Sequence, residues 1–137
     1  MNVKKLERGT TLIETLVALL VLSIGLLGIA GMQLTSLQSN RGAHLRSQAQ
    51  VLSYDIADRM RANRTAALAG NYVISFGATP TGTTVSVSDL IAWKAALAAV
   101  LPTGDGQIDI VGTNMMRITV RWTDTLGTQQ FTTQTRI

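Results

Sequence analysis

Two apolar patterns follow one another along the first half of the chain. Between Leu16 and Met32 no side chain carries a charge, and apolar residues fall at every helical angle. Extending the run back to Thr10 adds one interruption, the carboxylate of Glu14. This is the length a helix needs to cross a bilayer, ~20 residues. Farther on the apolar positions thin to Leu45, Ala49, Leu52, Ile56 and Met60, the spacing of a single helical face. Arg46, Ser47, Gln50 and Asp58 fall off that face, and Asp55–Arg59 and Asp58–Arg61 have the spacing of intrahelical ion pairs. No proline occurs before Pro80. The pattern predicts one helix over about 11–63, apolar all round in its first half and amphipathic in its second.

The remainder reads as a small mixed domain. Residues 63–70 end the helix, and 72–76 read as a short strand. Residues 77–84, with Pro80 and Gly82, form a loop. Ser88 offers an N-cap to a helix over 89–101, with Leu90, Trp93, Leu97 and Leu101 on its buried side and Pro102 as its stop. Asp105-Gly106 signals a turn. Strands are expected over 107–111, 115–123 and 128–137, with Leu126-Gly127 at the last hairpin. Three successive strands suggest an antiparallel meander. So small a sheet needs the amphipathic half of the helix as its second wall.

Charge and composition narrow the chemistry. The net charge of +4 concentrates in a basic head, Lys4, Lys5 and Arg8 against Glu7, and a basic middle at residues 41–64. The high isoelectric point therefore does not indicate a nucleic-acid binder. Arg59, Arg61 and Arg64 lack interleaved aromatics and a groove-reading motif, and read as a solvated helix face. With no cysteine and one histidine, disulfide scaffolds, thiolate metal sites and cysteine nucleophiles are excluded. Asp105–Asp109 lacks the spaced acids and terminal glutamate of a calcium loop. His44, Ser47 and Asp55 are the residue types of a triad, but one helix does not bring them together. No catalytic residue, metal site or cofactor is expected.

The apolar segment has three readings. A signal peptide cleaved after Ala30 would need a shorter apolar region, ~7–15 residues. A plain anchor leaves Glu14 without a purpose, although a carboxylate near hydrocarbon costs several kcal/mol unless paired or protonated. The third reading gives Glu14 a partner, the free α-amine of a neighbouring chain. The basic residues before the segment favour a cytoplasmic N-terminus. Gly25, Gly28 and Gly31 put small residues at three-residue spacing, as on a helix-packing face or at a place where the helix loosens.

The run Lys4-Lys5-Leu6-Glu7-Arg8-Gly9-Thr10-Thr11-Leu12-Ile13-Glu14 resembles the class III leader of type IV pilins. The stretches 23–33, 46–49 and 54–63 resemble the PilV group of minor pilins, so the likeness covers about half of the chain. The resemblance implies cleavage by prepilin peptidase after Gly9, N-methylation of Thr10, and pairing of Glu14 with an α-amine during assembly. Thr10 departs from the phenylalanine usual in the family. The cysteine pair common at pilin C-termini is absent, so that end must be held by packing alone. The implied fold is α+β and pilin-like: leader 1–9, transmembrane helix half 10–35, amphipathic half 36–63, headgroup 64–137. The implied function is non-enzymatic: a minor pilin in pilus priming and assembly, in a complex at the filament tip. Implied partners are other minor pilins, the major pilin and the inner-membrane assembly platform. The implied location is the bacterial inner membrane, N-terminus cytoplasmic and head periplasmic, and then the pilus at the cell surface, with roles in twitching motility and adhesion. Two alternatives stand beside it: a minor pseudopilin of a type II secretion system, and a tip-displayed ligand-binding or adhesion module.

Overall fold

The computed structural model describes residues 8–137, with side chains from residue 11 onward. The leader therefore lies outside the described residues except for the backbone of its last positions. Helix α1 covers Arg8–Ala62 without a break. It is followed by a single-turn helix α2 (Arg64–Leu68), helix α3 (Val85–Val100), and strands β1 (Asp105–Gly112), β2 (Met115–Asp124) and β3 (Gly127–Arg136). The strands form one antiparallel sheet in the order β1-β2-β3. The α+β architecture of a long N-terminal helix followed by a three-stranded meander is thus as expected. Two compact units make up the chain, one ending at Asn40 and the other running from Arg41 to Ile137.

Among the described residues the first unit is helix alone. Residues 11–40 are exposed throughout.

The second unit is built around one apolar cluster. Leu45, Ala49, Ile56 and Met60 are buried and Leu52 is half-buried, as the spacing predicts. Ser53 and Ala57 widen the buried face. Ser53 is tolerated there because its hydroxyl donates to the Ala49 carbonyl at 2.7 Å. The sheet answers with the inner row of β2, Met116, Ile118, Val120 and Trp122, and with Ile108 of β1. In β3 the inward positions, Gln129, Phe131, Thr133 and Thr135, are only half-buried. α3 contributes Leu90, Trp93 and Leu97, the predicted stripe, and the Trp93 indole donates to the Leu52 carbonyl at 2.9 Å.

Four local details differ from the sequence reading. α3 starts at Val85, capped by Thr84, whose hydroxyl accepts the Val87 N–H. Ser88 lies in the first turn of the helix and is not its cap. Burying Ser86 one turn before Leu90 extends the apolar stripe backward and carries the helix start with it. Residues 72–76 make no strand. They touch β1 through a single bridge, Ile74 to Ile108, between the positive-φ glycines Gly70 and Gly77, which turn the chain on either side. Asp105-Gly106 is the start of β1 and not a turn. The reversal falls just before it, where Thr103 takes φ 53° and the Gly104 N–H closes on the Leu101 carbonyl. Finally, the short helix α2 fills part of what the sequence shows only as the end of α1.

Candidate functional site

The first candidate site is the exposed apolar surface of α1. Leu12, Ile13, Leu16 and Leu27 are each about two-thirds or more exposed. Such a continuous apolar surface is untenable in water and calls for lipid or other helices around it. α1 is the one helix among the described residues long and apolar enough to cross a membrane.

Its few polar side chains divide into two kinds. The hydroxyls of Thr15 and Ser23 fold back onto the carbonyls four residues earlier, Thr11 and Leu19, at 2.7 Å each. They satisfy themselves inside the helix and are cheap in hydrocarbon. Glu14 is different. A carboxylate only accepts hydrogen bonds, and it cannot give a proton to its own helix's carbonyls while ionised. Glu14 lies exposed on α1, one turn into the described segment. The backbone of Gly9 and Thr10 lies in α1, and their side chains are outside the described residues. At Gly25, Gly28 and Gly31 an added Cβ would meet nothing within 4 Å. The three glycines thus leave a shallow open strip that this chain itself does not fill.

The second candidate, the arginines at the end of α1, is largely committed within the domain. Arg59 donates to Asp55 at 3.0 Å and to Asp89 at 3.3 Å. The Asp55 hydrogen bond chiefly holds the guanidinium pKa above its ordinary value, against the opposing effect of burial, with Asp89 adding to it. Arg61 pairs with Asp58 at 2.6 Å and also reaches Thr135 and the Arg136 carbonyl on β3. They tie α1 to α3 and β3 and do not line a phosphate-binding groove. Asp89 also accepts the Tyr72 hydroxyl at 2.5 Å. Burial first, and then that bond, push the Tyr72 pKa up to about 12.

A half-buried staple that no sequence motif signals lies on the other side of α3. The ammonium of Lys94 meets Asp105 at 3.0 Å and donates to the carbonyls of Ser75 and Ala78. Asp105 also accepts the N–H groups of Gly77 and Gly106. Burial alone would raise the Asp105 pKa, but these donors outweigh it and hold it below the ordinary carboxylate value. Only the fold brings residues 75–78, 94 and 105 together, so no spacing rule finds them. Asp109 accepts its neighbour Gln107 at 2.8 Å. Among the described residues no group of three His, Cys, Asp or Glu is placed to hold a metal ion. His44 is exposed on α1.

Comparison with known families adds two matches. Residues 4–30 match the family model described as the prokaryotic N-terminal methylation motif. Residues 31–89 match the one described as type IV pilin Tt1218. No curated protein and no solved structure matches the chain. The two matches adjoin, the first covering the basic leader residues and the apolar start of α1 with Glu14, and the second the rest of α1 through the start of α3. Together with the fold they support a type IV pilin, membrane-anchored through α1.

Proposed function

We propose that this chain is a minor pilin that takes part in priming and assembling the type IV pilus, within a complex of minor pilins at the filament tip. The observation that carries the reading is the union in one chain of the methylation motif, an apolar helix whose described residues 11–40 are exposed, and a compact second unit. The work is non-covalent and no catalytic group is assigned. Prepilin peptidase cuts after Gly9, and Thr10 becomes the methylated N-terminus. Before assembly α1 anchors the protein in the inner membrane, N-terminus cytoplasmic and head periplasmic. It then exchanges lipid for the apolar helices of the major pilin and other minor pilins, with the assembly platform driving the transfer. Glu14 accepts the α-amine of a neighbouring subunit and so fixes register, because a mismatched register leaves a carboxylate unpaired in an apolar layer. The glycines at 25, 28 and 31 admit a neighbouring helix closely. The working segments are leader 1–9, membrane half 10–35, amphipathic half 36–63 and head 64–137.

Intact mass and N-terminal sequencing of the protein from native membranes test the processing step. A chain starting at Thr10 with one added methyl is expected, and an unprocessed start in cells with active prepilin peptidase refutes the reading. Glu14→Ala should be processed normally yet enter filaments poorly, and normal incorporation would remove Glu14 from the mechanism. Deletion should abolish piliation. A block in protein export with pili intact would instead indicate a pseudopilin.

A further inference from the structure

The two ends of the sheet carry complementary features. At one end, α2 and the β1–β2 turn border an open cavity of about 250 Å³ lined by Ala67, Leu68, Ile110, Met115 and Met116 together with Gly112, Thr113 and Asn114. A volume of ~150 Å³ is enough for a benzene ring, so this open one has room for a leucine side chain. At the other end, the β2–β3 hairpin presents Leu126, 84% exposed, the most exposed large hydrophobic residue among those described.

Nothing in the hairpin calls for a leucine there. The turn is set by Asp124, whose carboxylate accepts the Leu126 N–H at 2.7 Å, and by Gly127 at φ +106°. Exposed turns ordinarily carry small or polar residues. The charges match as well. Asp124 sits beside the projecting leucine, and among the described residues it makes no ion pair. By the cavity stands an arginine that likewise makes none, Arg64, one helical turn before Leu68.

From this pairing of projection, cavity and opposite charge we infer that the heads associate head to tail, Leu126 of one copy entering the cavity of a second copy of this chain. Asp124 then faces Arg64 of that copy. The contact uses two different surfaces of one molecule, so it is heterologous and extends into a row or ring instead of stopping at a dimer. The ten residues of β2 separate the two surfaces, which sets successive heads about 30 Å apart at ~3.3 Å per residue. The inference does not depend on the chain's acting as a pilin.

The chain has no cysteine, so paired cysteines give a clean test. The full chain carrying T113C and T125C, both at exposed positions flanking the contact, is purified in detergent micelles and treated with a short bismaleimide. A ladder of dimers, trimers and larger products is expected. L126S added to that background should reduce the ladder at least tenfold. D124N, which keeps the oxygen that accepts the turn's N–H, should reduce it several-fold at low salt. Pairing T125C instead with T132C, on the middle of the outer sheet face, should give no ladder. No ladder from T113C/T125C, products ending at dimers, or a ladder unchanged by L126S would each overturn the inference. Tryptophan fluorescence of each variant confirms that the head is folded, since Trp93 and Trp122 both belong to it.

Discussion

Gly106, like Gly104, is a position in the head with no room for a side chain. It sits near the start of β1 opposite Val120, facing α3. A Cβ built there would lie 2.2 Å from Trp93 Cη2, 2.7 Å from its Cζ3 and 2.8 Å from Leu97 Cδ1. None of these atoms can yield cheaply. The Trp93 ring is fully buried and its indole is tied to the Leu52 carbonyl, while Leu97 is fully buried beside it. Gly106→Ala must therefore push α3 off the sheet or rotate the indole out of its hydrogen bond. Overpacking of this kind costs ~1–3 kcal/mol. At a cost of ~2 kcal/mol, a unit of this size should melt ~8–16 °C lower. Gly112→Ala is the internal control on the same strand. Its Cβ would meet only Met115, at an ordinary 3.7 Å, and the lost backbone freedom of the unfolded chain offsets any small strain. Both variants can be melted as full chains in detergent by tryptophan fluorescence, which reads the head without the apolar helix. A Gly106→Ala midpoint within ~2 °C of Gly112→Ala would refute the tight contact between α3 and β1.

Other consequences concern pH. The pKa of Asp105 is lowered in the fold, so its contribution is present above its unfolded value and is lost as pH falls through the folded one; Asp105→Asn should flatten the acid limb of head stability, measured by denaturant melts across pH 2–6, relative to the ordinary carboxylate value of ~3.9. Lys94→Met should destabilise the head at pH 7 and mobilise residues 75–78, visible as faster amide exchange there, because it removes the cation from a half-buried carboxylate and two carbonyl acceptors. Tyr72 works in the opposite sense: its pKa is raised to about 12, so stability is full below ~10 and lost as pH rises from there toward the folded value, and Tyr72→Phe should remove that alkaline loss.

Much of the mechanism is legible before any fold is built. A charge-free run long enough for a membrane, a lone carboxylate near its start and an apolar face from Leu45 to Met60 are periodic or compositional facts. Periodicity reports which side of an element is buried, which is why the α1 face and the stripe of Leu90, Trp93 and Leu97 read correctly. It fails where a boundary depends on a partner. Ser88 has the composition of a cap, yet the helix begins a turn earlier, capped by Thr84 with Ser86 buried behind it. Asp105-Gly106 has turn composition, yet the glycine is there to let the Trp93 ring approach the strand, and the aspartate to receive Lys94 and Gly77.

The chain by itself determined that it carries a membrane-competent helix with a buried-cost carboxylate, because transfer energies depend only on which side chains stand in sequence. It also determined the order and type of the main elements, because local hydrogen bonding and side-chain period are properties of neighbouring residues. Only the tertiary structure decided what joins residues distant along the chain: the staple of Lys94, Asp105 and the 75–78 carbonyls, the reach of Arg59 to Asp89 and of Arg61 to β3, and the cavity beside α2 with the projecting Leu126 at the far end of the sheet. Those features arise from loop closures and packing across tens of residues. No local pattern encodes them, since the same side chains elsewhere in the fold would face water.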